Sequence, residues 1–285
     1  MMAAASRSSE TPASRQHALL QPLLTRAFPA VMGVLNVTPD SFSDGGQFTT
    51  LEQALAQAKR MIAEGADILD IGAESTRPYG SEPVSAEEER QRLQAVLPQV
   101  VALGLPVSID TMKASVAAWA LGQGARIAND VWGLQRDPEM AHVVADHDVP
   151  IIVMHNRDTV DANIDIMQDL SAFFGRSLDI AAKAGISQKN IVLDPGIGFG
   201  KTPEQSMTAL ARLDELKQFG LPLLAGASRK RFIATVMPSE PHQRLGGSIS
   251  AHLIAAQRGA HIIRAHDVAE TIQALRVAAA IEEKR

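Results

Sequence analysis

The sequence predicts a single (β/α)8 barrel of the TIM type, and three observations carry that reading. Short apolar runs alternate with longer stretches of helical periodicity along the chain. Eight of those runs break abruptly into polar, chemically capable residues. An eight-unit barrel takes about 250 residues, so a chain of 285 has no remainder large enough for a second domain. The first run, residues 31–35, lacks the alternation of a half-exposed strand and suits a parallel sheet covered on both faces by helices. A doubly wound open sheet is the alternative. It needs fewer strands and usually a Gly-rich dinucleotide turn after the first, which is absent. Residues 1–29 are expected to form a flexible tail and residues 30–285 the barrel.

The elements follow in order. After the opening strand, Leu51, Leu55, Ala58 and Ile62 fall at helical spacing and Gly65 supplies the stop. Residues 67–72 are a second strand. Ser85 is an N-cap followed by acids in the first turn, opening a helix through Leu93, Val96, Leu97 and Val100 to Gly104. Residues 106–110 form a third strand, 113–121 a short helix, and 126–130 a fourth strand. Pro138 takes the favoured first position of the next helix, and 150–155 is the fifth strand. A polar loop, 156–165, leads into a helix closed by Gly185. The sixth strand, 191–194, breaks into Pro195-Gly-Ile-Gly-Phe-Gly-Lys201. A helix over 203–219, a strand over 222–226, a helix over 245–258, a strand over 261–264 and a helix over 268–280 complete the chain.

Composition narrows the function. Hydrophobic residues make up 46% and charged residues 21%, as in soluble globular proteins. No run reaches the roughly 18 apolar residues of a membrane span. The absence of cysteine removes disulfides, thiolate catalysis and Cys-based zinc sites, and fits a cytoplasmic location. A net charge of −5 offers no basic field for nucleic acid. Residues 1–15 have no apolar core and do not form a secretory signal.

In a barrel of this kind the active site lies at the C-terminal ends of the strands, so the strand ends name its candidates. They are Asn36 with Asp40; Ser75, Thr76 and Arg77; Asp110; Asn129; Met154 and His155; Asp194; Ser228, Arg229 and Lys230; and Arg264 with His266. Asp110, Asn129 and Asp194 combine acceptor-only carboxylates with an amide, a set suited to a flat heterocycle bearing several N–H groups. Arg77, Lys230, Arg264 and His266 suit phosphate or carboxylate. Together they fit group transfer from a diphosphate ester. Mg2+ is the metal such a site would take, on Asn36, Asp40 and phosphate oxygens. Each residue also has a plainer reading: Asp110 as a helix cap, residues 194–200 as an ordinary glycine loop, Arg264 paired only with Asp267, Met154 as core, and His155 as a satisfied structural histidine.

Seven segments then carry a resemblance. Met32-Gly-Val-Leu-Asn-Val-Thr-Pro-Asp-Ser-Phe-Ser-Asp-Gly-Gly46, Glu74-Ser-Thr-Arg-Pro78, Ser108-Ile-Asp-Thr111, Asn129-Asp130, Asp194-Pro-Gly-Ile-Gly-Phe-Gly-Lys201, Ala227-Ser-Arg-Lys230 and Gly259-Ala-His-Ile-Ile-Arg-Ala-His-Asp267 resemble the motifs of the dihydropteroate synthase family. The resemblance implies condensation of 6-hydroxymethyl-7,8-dihydropterin diphosphate with 4-aminobenzoate, the folate-pathway step that sulfonamides block. It implies that Asp110, Asn129, Asp194 and Lys230 bind the pterin, with Met154 and the Arg264 stem against its faces. Arg264, His266 and Asn36 would hold the diphosphate, and Asn36 and Asp40 would meet Mg2+. Thr76, Arg77, Pro78, Phe199 and Ser228 would form the aminobenzoate pocket. Lys230, Arg264 and Asp110 are the expected catalytic residues, and a homodimer the expected assembly. The chain departs from the family pattern twice. Arg77-Pro78-Tyr79-Gly80 is one residue longer than the usual loop, and residues 156–160 replace a Met-x-Gly-x-Pro turn. A pterin-binding paralogue without synthase activity and a methyltetrahydrofolate-binding methyltransferase domain are the alternatives. The second has no use for cations aimed at a diphosphate.

Overall fold

The computed structural model describes residues 17–37, 47–74 and 84–285. In chain order they form α1 (Gln21–Leu24), β1 (Ala30–Asn36), α2 (Gln47–Ala63), β2 (Ile68–Gly72), α3 (Ala86–Gln94), α4 (Leu97–Val101), β3 (Val107–Asp110), α5 (Ala114–Gly122), β4 (Ile127–Asp130) and α6 (Met140–His147). There follow β5 (Ile151–Met154), α7 (Ile166–Lys183), β6 (Ile191–Asp194), α8 (Pro203–Ala211), β7 (Leu224–Ala225), α9 (Arg231–Val236), α10 (Leu245–Gln257), β8 (Ile262–Ala265) and α11 (Val268–Glu282). The strands pair in parallel in the order β6-β5-β4-β3-β2-β1-β8-β7. A parallel bridge between Leu193 and Leu223 joins the two ends of that order. The sheet therefore closes on itself, and the expected (β/α)8 barrel is the fold.

Because side chains alternate along a strand, each strand sends one set outward to the helices and one inward. Val31, Leu35, Leu69, Ile71, Ile109, Val153 and Ile263 are outward and belong to one large core with the helices. Gly33 also faces outward, and a Cβ there would lie 2.7 Å from the Met61 sulfur, so glycine lets α2 approach the sheet. The inward set changes character with height. At the N-terminal end Met32, Ile68, Ile127, Ile152, Val192, Leu224 and Ile262 form a separate apolar cluster. Two residues further along their strands stand Asp70, Asn129, Met154, Asp194 and Arg264. One alternating face thus runs from oil at the bottom to charge at the mouth.

Five sequence expectations change. Residues 17–29 fall within the expected tail, yet Leu20 and Leu23 beside and within α1 are buried in the inward apolar cluster, with Leu19 and Leu24 packed against it. They plug the bottom of the barrel, where the inward Ile and Leu residues would otherwise meet water. The helix expected up to Gly104 is two helices, because Pro98 at the start of α4 has no N–H to carry the ladder through. The segment after Ala211 tightens into a 3-10 turn, Leu213–Phe219. Residues 231–236, given no element, form α9. β7 is only two residues long because Pro222 has no donor and the Leu223 N–H goes to His261 Nδ1 at 3.2 Å.

Candidate active site

Asp70 is the hub of the mouth, and it was not among the candidates. It is fully buried, accepts Arg264 Nε at 2.6 Å and is bonded by Asn129 Nδ2 at 3.1 Å. Arg264 also donates from Nη2 to Asp110 at 2.8 Å. A lone carboxylate inside an apolar strand cannot stay unpaired, and its place two residues before the end of β2 puts it on the face that reaches the mouth. That was the available signal. The network engages the Asn129 amide nitrogen and leaves acceptors over: Asp110 Oδ1 and Asn129 Oδ1 are both buried with no hydrogen-bond partner.

Asp194 ends β6 in register with Met154 on β5. One of its oxygens accepts the Gly196 N–H at 2.7 Å. The loop after it folds back so tightly that a Cβ on Gly196, where φ is +62°, would lie 2.0 Å from the His155 carbonyl oxygen. Met154, Val131 and Phe199 make a small apolar cluster against Met112 and Trp132, and Lys230 Nζ sits 4.0 Å over the Phe199 ring. Asp110, Asn129, Met154, Asp194, Phe199, Lys230 and Arg264 line one pocket. A slot with apolar walls and carboxylate and amide acceptors along its edge fits a planar, N–H-rich heterocycle.

Beside that slot stands the cationic rim. Burial works against the charge on Arg264, but Asp70 and Asp110 outweigh it and hold the guanidinium protonated. Burial lifts Asp110 above the usual carboxylate range even with Arg264 beside it, and raises Asp194 to about 6. His266 is drawn down to about 3, first by burial and then by Arg264, Arg229 and Lys230, so its imidazole is neutral. Its Nδ1 lies 3.0 Å from Ser228 Oγ, which also accepts the His266 N–H at 3.2 Å.

The plainer readings divide. Asp110 is no cap: α5 begins at Ala114, whose N–H is taken by Asp137 at 2.8 Å. Asp267 pairs with Arg229, not Arg264, with Nε to Oδ2 at 3.0 Å. His155 is indeed a satisfied histidine, with Nε2 3.0 Å from Asp169, and it takes no part in the pocket lining. Asn36 ends β1, half-buried. Asp40, Thr76, Arg77, Pro78 and the altered Tyr79-Gly80 loop lie outside the described residues. The approach to that loop is anchored, since Glu74 takes the Val84 N–H at 3.2 Å and pairs with Lys113, which also bonds Glu89 at 2.6 Å.

A barrel with this acceptor-edged slot and cationic rim defines a pterin-binding enzyme, and the family model described as "Pterin binding enzyme" matches residues 32–266. The dihydropteroate synthase of Bacillus subtilis is 48% identical over 230 residues, covering 80% of this chain and 80% of that protein. The Clostridium difficile dihydropteroate synthase solved in the presence of pteroic acid matches with a TM-score of 0.86 and 45% identity, over 89% of this chain and 97% of that one. The Xanthomonas albilineans enzyme solved with 4-aminobenzoic acid gives 0.86 and 46%, over 91% and 94%. This chain belongs to the dihydropteroate synthase family.

Proposed function

We propose that this enzyme joins 6-hydroxymethyl-7,8-dihydropterin diphosphate to 4-aminobenzoate, releasing 7,8-dihydropteroate and diphosphate. The observation that carries the reading is the pair of buried acceptors without partners, Asp110 Oδ1 and Asn129 Oδ1, beside Asp194. Ligand N–H groups would supply the missing donors. The pterin then lies between Met154 and the Arg264 stem, with Lys230 at its edge. The amine nitrogen forms the new C–N bond to the pterin methylene carbon as the C–O bond breaks. The bonding pair departs with diphosphate, and the spare amine proton passes to the leaving group or to water. Charge grows on the leaving oxygens, so Arg264 and Lys230 aimed there lower the barrier, while neutral His266 donates a hydrogen bond. Asp110 contributes by holding both the pterin and Arg264. Thr76, Arg77, Pro78, Phe199 and Ser228 are proposed to receive 4-aminobenzoate.

Mg2+ belongs to the same proposal. Among the described residues no group of three or more His, Cys, Asp or Glu could hold a metal. The Asn36 amide oxygen is nonetheless a hard donor, and Mg2+ usually needs only one or two protein ligands beside water and phosphate. Asn36, with Asp40, would hold it, and when bound it would neutralise diphosphate charge. A chelator should abolish turnover, and added Mg2+ should restore it.

Two further parts of the proposal concern the whole chain. A homodimer is supported by Leu245 and Ile254 on α10 and Val277 and Ile281 on α11, which are exposed apolar side chains on neighbouring helices. Ile281→Glu should lower the sedimentation coefficient if that face pairs. No helix among the described residues is long and apolar enough to cross a membrane. A cytoplasmic location is supported by the cysteine-free sequence and is tested by cell fractionation. The deciding experiment for the reaction is diphosphate release from the dihydropterin diphosphate with and without 4-aminobenzoate. Pterin binding with no aminobenzoate-dependent release would identify a non-catalytic paralogue instead.

A further inference from the structure

Behind the loop that follows Asp194, Lys201 is almost wholly buried, at 6% exposure. Its Nζ lies 3.0 Å from the Gly196 carbonyl, 3.1 Å from the Phe199 carbonyl and 2.7 Å from His155 Nδ1. An ammonium has three N–H donors and no acceptor, so every proton of Lys201 has a partner. His155 must then carry its own proton on Nε2, facing Asp169, which also accepts Arg157 Nη1 at 3.1 Å. Burial draws the imidazole down to about 4, so it stays neutral and keeps Nδ1 free to accept.

The two carbonyls are not arbitrary. Gly196 is the residue whose N–H fixes the Asp194 carboxylate, and Phe199 carries the ring beneath Lys230. We propose that Lys201 is a positioning residue: by gripping Gly196 and Phe199 together it keeps the Asp194 carboxylate and the Phe199 wall, proposed to receive 4-aminobenzoate, in register. Seating an ammonium in the protein interior is costly. The same burial draws Lys201 down to about 7, and an apolar side chain of equal length would fill the space without that penalty. What the apolar chain lacks is the power to hold two carbonyls at once.

The inference rests on the proposed reaction, and wild-type turnover measured in parallel separates failure of that reading from failure of this one. Lys201→Met should raise the KM for both substrates and lower kcat/KM about tenfold to a hundredfold per folded enzyme. Because the chain has no cysteine, Lys201→Cys carries a single thiol. Unfolded, it can be alkylated with 2-bromoethylamine or with 2-iodoethanol and then refolded, the wild type passing through the same cycle. The two adducts match in length, but one ends in a three-donor ammonium and the other in a hydroxyl with one donor. The aminoethyl enzyme should return to within about threefold of wild-type KM values while the hydroxyethyl enzyme remains impaired. A purely structural role would change the folded yield and leave both KM values alike. Equal KM values for the two adducts, or wild-type KM values in Lys201→Met, overturn the proposal.

Discussion

Asp194 sets function against stability. Its folded pKa of about 6 lies above the unfolded value of about 3.9, so the folded state binds this proton more tightly. Its contribution to stability is therefore present below about pH 4 and is lost as pH rises through 6. Asp194→Asn should raise the melting temperature by a few degrees at pH 8, from roughly 1–3 kcal/mol, with no gain at pH 4. Calorimetric scans at both pH values test the sign. The same variant should bind a pterin analogue about tenfold or more weakly, and wild-type affinity should fall below about pH 6. Arg264 behaves in the opposite way. Its removal strands Asp70 and Asp110 without a cation, so Arg264→Ala should cost about 3–5 kcal/mol in urea melts and lower kcat as well as affinity. A normal kcat with only a raised KM would remove it from transition-state stabilisation.

At the scale of elements, strand ends were readable because each apolar run stops where its polar residues start. Breaks inside helices were less so: the interruption at Pro98 has a local cause, while the 3-10 turn at Leu213–Phe219 has no single residue to announce it. Two glycines with positive φ offer a contrast, Gly196 in the loop after β6 and Gly220 closing the 3-10 turn before β7. Gly196 has a positive φ and a carbonyl where its Cβ would go, whereas Gly220 has φ +66° with nothing within 4 Å. Gly220→Ala should cost about 1–2 kcal/mol, the strain of a left-handed residue, and leave kcat/KM unchanged. Gly196→Ala must also move the His155 carbonyl, so it should cost roughly 1–3 kcal/mol more and depress kcat/KM through Asp194. Urea denaturation and steady-state rates on the pair measure both effects, and equal behaviour would show the loop to be pliable.

Across the whole molecule the two ends of the barrel do different work. Leu20 is buried against the inward apolar layer at the bottom, far along the strands from the charged mouth. Leu20→Ala should therefore cost about 2–5 kcal/mol in a denaturant melt with kcat unchanged. A loss of kcat without loss of stability would show that the plug communicates with the site.

The sequence by itself determined the barrel, the order of its strands and most of the residues at its mouth, since these follow from periodicity along the chain and from the polar residue that ends each apolar run. Asp110, Asn129, Met154, Asp194, Lys230 and Arg264 were all legible in that way. Only the tertiary structure decided their partners. Asp70 meets Arg264 across 194 residues of chain and Asn129 across 59, and strand alternation alone does not tell which acceptor a guanidinium will choose. Lys201 stood in a recognised loop with no role until His155, from the preceding strand end, supplied its third acceptor. The leucines before β1 looked like tail because a short segment shows no helical period. They are ordered only by the apolar layer of a closed barrel, which exists once all eight strands have met.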